Sequence, residues 1–125
     1  MVPPRLADKK ILIAEDNEIN QVVIEAILES TEATLMIVEN GKLAVEAAEK
    51  YEFDLILMDI QMPEMDGIEA MKHIRHFCNH TPIIALTANA MVEDVASYLN
   101  LGFTAHVAKP VDKNHLYGLL ASVLE

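Results

Sequence analysis

Five short apolar runs recur along the 125-residue chain, each separated from the next by enough residues for one helix, and this alternation restricts the fold more than any other feature. The runs are Lys10–Ala14 (KILIA), Thr34–Val38 (TLMIV), Asp54–Met58 (DLILM), Pro82–Leu86 (PIIAL) and Ala105–Ala108 (AHVA). Between them apolar residues return at helical spacing, as in Ile19, Val23 and Ile27 or Leu43, Ala47 and Tyr51. The last segment is the clearest, with Leu116, Leu119, Leu120, Val123 and Leu124 on one stripe and Asp112 before it as the expected N-cap. A strand that is apolar on every residue needs cover on both faces, which a parallel sheet between two layers of helices provides. Five such units predict an α/β fold, a doubly wound five-stranded parallel sheet.

Composition narrows the function. A hydrophobic content of 52% with 23% charged residues describes a globular chain. No apolar run nears the roughly 18 residues of a membrane span, and no signal-peptide pattern opens the chain, so a cytoplasmic domain is expected, although its parent protein is free to be membrane-anchored. A single cysteine, Cys78, has no internal partner for a disulfide and reads as a packing residue. The formal charge of −11 argues against nucleic acid or an anionic membrane as a direct partner and in favour of a cation or a basic protein surface. Residues 1–8, with two prolines and no periodicity, read as a linker or leader, leaving 9–125 as the folded domain.

In an open parallel sheet the ligand site lies beyond the C-terminal ends of the strands, where the strand order reverses. Glu15 and Asp16 follow the first run, Asp59 the third, Thr87 the fourth, and Lys109 with Pro110 the fifth. Each of these has a bland reading alone: an Asp at a strand end is commonly a turn residue, and paired acids favour a helix start. Their joint placement at one sheet edge is what points to a site. Two carboxylates about 4 Å apart repel by roughly 4 kcal/mol at an effective dielectric near 20, so three of them would raise each other's pKa or demand a cation. Oxygen donors select Mg²⁺, Mn²⁺ or Ca²⁺ over zinc, and Mg²⁺ suits a site with few protein ligands and a phosphate oxygen. The same metal beside a fixed lysine and a threonine hydroxyl would neutralise a phosphoryl group, with Asp59 as the nucleophile of an acyl phosphate.

The stretches ILIAEDNEIN, LILMDIQMPEMDG, PIIALTANAM and HVAKPV together resemble the receiver domain of two-component response regulators, over a span from about Lys9 to the end of the chain. EDN followed by MDIQMPEMDG is most similar to the receivers of hybrid sensor histidine kinases and phosphorelays. The resemblance implies a flavodoxin-like three-layer sandwich with strand order 2-1-3-4-5. It implies that Asp59 takes a phosphoryl group from a phosphohistidine, with Asp16, Asp59 and the Gln61 carbonyl holding Mg²⁺ and Glu15 acting through water. It further implies that Lys109 pairs with Asp59, that Thr87 moves to bond the phosphate, and that Lys109–Pro110 is a cis peptide. Activation then turns an aromatic ring on strand five into the space behind Thr87. Here that position is His106, a ring that can titrate, and the small Ala88 leaves it room. Gln61 and Asn89 stand where the family tunes hydrolysis of the acyl phosphate. The implied partner is a histidine kinase or histidine phosphotransfer domain, with the chain a monomer or weak dimer. The proline-bearing leader favours a receiver belonging to a larger kinase over a stand-alone regulator.

His73, His76, His80 and His115 read as surface residues, and Met62 and Met65 as packing residues. Two other classes compete. An aspartate-dependent phosphohydrolase would carry a second Asp two residues beyond Asp59, where this chain has Gln61. An unphosphorylated interaction domain of the same fold would have no use for the intact set of Glu15, Asp16, Asp59, Thr87 and Lys109. Nucleotide binding is disfavoured because no Gly-rich loop follows any strand.

Overall fold

The computed structural model describes residues 2–88 and 92–124. Five strands, β1 (Lys10–Ala14), β2 (Thr34–Val38), β3 (Leu55–Asp59), β4 (Ile83–Thr87) and β5 (Ala105–Ala108), alternate with five helices. These are α1 (Glu18–Glu29), α2 (Gly41–Lys50), α3 (Gly67–Phe77), α4 (Val92–Leu101) and α5 (Lys113–Leu124). The strands form one parallel sheet in the order β2-β1-β3-β4-β5, as the resemblance implied.

Alternation along each strand sends side chains to opposite layers, so one sheet builds two cores. Ile11, Ile13, Leu55, Leu57, Ile84, Leu86 and Val107 pack with Ile24 and Leu28 of α1 and Leu116 and Leu120 of α5. Leu12, Ala14, Ile56, Met58, Ile83 and Ala85 pack with Ala44 and Ala47 of α2, Ala70, Met71 and Ile74 of α3, and Phe103 beyond α4. Every residue of β3 and β4 is buried because both faces are covered. Leu6 joins the first core and its N–H donates to the Thr31 carbonyl at 2.8 Å, and Pro4 is buried as well, so the leading segment is packed onto the domain.

Two boundaries and two faces differ from the sequence reading. β3 and β4 each begin and end one residue later than their apolar runs, so Asp59 and Thr87 are the last residues of strands and not the first of loops. Register explains this: Asp59 pairs with Leu86 and Thr87 with Ala108, and the ladder continues through Ile60 N–H to Leu86 O (3.0 Å) and Lys109 N–H to Thr87 O (2.8 Å). At the other end, Asp54 turns its carboxylate onto the Lys10 N–H at 2.8 Å. On α1 the core face runs through Ile24 and Leu28, leaving Ile19 and Val23 exposed. On α2 it runs through Gly41, Ala44 and Ala47, leaving Leu43 and Tyr51 exposed. The helical period was legible, but several apolar faces competed for it. Asp112 accepts from the Asn114 N–H (3.3 Å), consistent with its expected place before α5.

Caps start the helices that leave the C-terminal rim of the sheet. Asn17, Asn40 and Asp66 accept from the N–H groups of Asn20, Leu43 and Glu69. At the opposite rim the Arg75 guanidinium donates to Thr81 O (2.6 Å) and Gly102 O (3.1 Å), tying the end of α3 to the segments that enter β4 and β5. The Lys109–Pro110 bond is cis. Among the described residues, no helix is long and apolar enough to cross a membrane. His73, His76, His80 and His115 are exposed, while Cys78, Met62 and Met65 are partly buried against the second core.

Gly67 fixes how closely the loop after β3 returns to the strand that carries Asp59. Its N–H bonds the Ile60 carbonyl at 2.9 Å, and a Cβ there would lie 2.0 Å from the backbone oxygen of Asp59. Gly67→Ala is therefore expected to lower the unfolding free energy by about 3 kcal/mol, the upper end for overpacking, as read from urea denaturation.

Candidate functional site

The strand order converts separations in sequence into contact. β1, β3 and β4 are adjacent, and Lys109, which follows the edge strand β5, spans the end of β4 to reach the acids. Its ammonium lies 2.8 Å from Asp59 Oδ2 and 2.9 Å from Glu15 Oε1. Glu15 is fully buried, Asp59 is 3% exposed and Thr87 is 2% exposed, whereas Asp16 is open to solvent. These residues line a cleft of about 690 Å³ at the C-terminal rim, together with Gln61, Ala88 and Tyr98.

Local structure holds each acid. α1 begins only at Glu18, so Glu15 and Asp16 precede the helix, and the reading of them as helix-starting acids does not apply. The Asn17 N–H donates to Glu15 Oε2 (3.1 Å), and the Gln21 side-chain amide donates to the Glu15 carbonyl (2.6 Å). The Gln61 N–H donates to Asp59 Oδ1 (3.2 Å). Glu15 Oε1 receives no N–H or O–H in hydrogen-bond geometry from the described residues and relies on the ionic contact with Lys109.

One ammonium facing two buried carboxylates leaves a negative excess. Burial is the largest influence on Asp59 and pushes it up to about 6; the Lys109 ammonium opposes this, and the neighbouring Glu15 adds to it. Burial also acts to raise Glu15, but Lys109, Asp59 and the Asn17 N–H together hold it below its ordinary value. Burial works against the charge of Lys109, yet the two carboxylates keep its pKa above the usual range.

The donor set fits a hard divalent cation. Carboxylate oxygens of Glu15, Asp16 and Asp59 all lie within 4.8 Å of one another, and among the described residues no other group of His, Cys, Asp or Glu gathers in this way. All-oxygen donors beside an under-bonded buried oxygen match Mg²⁺ in kind.

The remaining expected residues fall as follows. His106 on β5 is partly buried and pairs with Ala85, so alternation puts it on the same face of the sheet as Thr87. Ala88 is exposed at the cleft. Asn89 lies outside the described residues. Sequence reading missed Tyr98, whose hydroxyl is 3.4 Å from Thr87 Oγ1. Its position on the helix between the fourth and fifth strands was the only available signal.

Comparison with known proteins gives a consistent picture. Residues 11–121 match the response regulator receiver domain family. The chain is 37% identical over 115 residues to the transcription factor SKN7 of Saccharomyces cerevisiae, covering 92% of this chain and 18% of that protein. It is 40% identical over 112 residues to the signal transduction histidine-protein kinase BarA of Escherichia coli, covering 88% and 12%. The chain thus spans less than a fifth of these curated relatives. Among solved structures, the receiver domain of a Pseudomonas aeruginosa sensor histidine kinase, with magnesium coordinated in its active-site cleft, superposes with a TM-score of 0.85 at 40% identity over 92% of this chain and 96% of that one. The co-crystal structure of the Saccharomyces cerevisiae histidine phosphotransfer protein Ypd1 with the receiver domain of Ssk1 gives a TM-score of 0.83 at 29% identity, covering 100% and 97%.

The raised Asp59 carries a stability consequence. A folded-state value of about 6 against an ordinary 3.8 means that the protonated acid suits the fold better. Its stabilisation is complete below pH 3.8 and is lost as pH rises through about 6. Asparagine mimics the protonated acid, so in metal-free buffer Asp59→Asn is expected to be more stable than the native chain by about 1–3 kcal/mol at pH 8. Chemical denaturation should show this advantage shrinking steadily toward pH 4.

Proposed function

The chain belongs to the response regulator receiver family, and on that premise we propose that Asp59 is the residue its phosphodonor modifies. The observation that carries this reading is the convergence of Asp59, Glu15 and Lys109 within ion-pair distance at the C-terminal ends of β1, β3 and β5. An Asp59 carboxylate oxygen attacks the phosphorus of a phosphohistidine, the P–N bond breaks, and the electron pair returns to the imidazole nitrogen, leaving an acyl phosphate. Lys109, released in part from Asp59, follows the charge onto the phosphoryl oxygens. Thr87, buried at the end of the adjacent strand, supplies a hydroxyl to one of them.

Asp16, Asp59 and the Gln61 carbonyl are the residues we assign to Mg²⁺, with Glu15 acting through water and Mn²⁺ as an alternative ion. When bound, the metal supplies positive charge that neutralises both the acids and the transferred group. The domain is a regulatory acceptor and not a turnover enzyme, since Gln61 offers no general acid two residues past Asp59. Its functional unit is 9–125, with 1–8 as a leader pinned at Leu6, and its setting is cytoplasmic.

The partner is a histidine kinase or histidine phosphotransfer domain, and α1 is the surface we assign to it. Ile19 (74% exposed), Val22 (67%) and Val23 (41%) form an apolar patch on the helix whose Asn20 already lines the cleft. Three exposed apolar side chains on the helix that follows Glu15 and Asp16 suit a donor that must bring its imidazole to Asp59.

Two measurements check these assignments. Intact mass after acetyl phosphate should rise by about 80 Da once per chain, only with Mg²⁺, and not in Asp59→Asn. Phosphate release at many turnovers per second would instead mark a phosphohydrolase. Val22→Asp should slow transfer from a phosphorylated histidine phosphotransfer domain by about tenfold, close to 1.4 kcal/mol, while leaving labelling by acetyl phosphate unchanged.

A further inference from the structure

We propose that Tyr98 is a positioning residue for Thr87, a ring on α4 whose hydroxyl holds the threonine hydroxyl in its resting place until a phosphoryl group on Asp59 draws it away. This rests on the phosphoacceptor reading of Asp59 and adds to it a residue that the sequence did not mark. The Tyr98 hydroxyl lies 3.4 Å from Thr87 Oγ1, and both residues line the cleft that contains Asp59 and Lys109. The ring stands edge-on to Phe103, with centroids 6.2 Å apart and planes at 81°, and Phe103 is buried. That contact sets the direction from which the hydroxyl reaches the site.

The sheet geometry explains why the ring comes from a helix. Alternation puts Thr87 and His106 on the same face of the sheet, the face that α4 also covers. His106 is the expected switch residue by position, and a polar group that meets Thr87 from the helix side belongs to Tyr98. A separation of 3.4 Å is well beyond the usual 2.7–2.8 Å of an O–H···O bond, so the contact is weak. A hydrogen bond to an anionic phosphoryl oxygen is about twice as strong as a neutral one and displaces it readily. Whichever hydroxyl donates, movement of Oγ1 toward Asp59 stretches a contact already at its limit.

The test compares the native chain with Tyr98→Phe, which keeps the ring against Phe103 and removes only the hydroxyl. Each is titrated with beryllium fluoride, a mimic of the transferred group, in saturating Mg²⁺. Removing the latch is expected to tighten beryllium fluoride binding about three- to fivefold, the scale of one weak hydrogen bond, with Mg²⁺ affinity unchanged. In a Thr87→Ala background the same substitution should have no effect, which a general structural role for the ring would not predict. Unchanged or weaker binding by Tyr98→Phe, with the native chain binding normally, overturns the latch alone. Failure of the native chain to bind beryllium fluoride at all overturns the phosphoacceptor reading, and the latch with it.

Discussion

One ammonium held between two buried carboxylates is the constraint around which this molecule is arranged. Lys109 touches both Glu15 and Asp59 at under 3 Å, and neither acid has enough solvent to keep its charge without help. Such a cluster is costly in an apolar setting, because charge removed from water must be matched by partners in good geometry. The chain meets this need in part, from three separated segments at once. The acids are fixed by backbone N–H groups from Asn17 and Gln61, and the lysine by a strand-end backbone bond to Thr87. The imbalance that remains, two negative charges to one positive, is what makes the place receptive to a cation and then to a phosphoryl group.

Rigidity behind the cluster comes from the sheet. β3 and β4 are buried on both faces, so the residues at their ends cannot shift without disturbing two cores. Asp59 and Thr87 belong to the strands themselves, held by ladder pairs with Leu86 and Ala108. Gly67 then allows the following loop to return against the Asp59 backbone. The side chains that line the cleft are thereby placed at the ends of the two most completely buried strands.

Much of this was legible in the sequence, for a physical reason. A parallel sheet writes its ligand site as whatever follows each apolar run, so Glu15, Asp16, Asp59, Thr87 and Lys109 could be gathered before any distance was known. The strand order came from the family resemblance of the motifs, because the runs alone permit several orders. Helix faces were less legible: Ile19 and Val23 fit the helical period as well as Ile24 and Leu28 do, and only packing against the sheet decides between them. Tyr98 was hidden for a related reason. Nothing in its neighbourhood distinguishes a tyrosine that reaches into a cleft from one that covers a core, since that depends on how far α4 overhangs β4.

The Arg75 clamp at the far rim bears on how such a domain can diversify. Its guanidinium bonds carbonyls from two entering segments, which stabilises that rim independently of the charged cluster at the other. Sequence drift or a grafted peptide at the exposed Asn79, beside the clamp, would leave the reactive end intact. The two ends of the sheet are therefore held by separate sets of contacts, a charged cluster at one and a guanidinium on backbone carbonyls at the other.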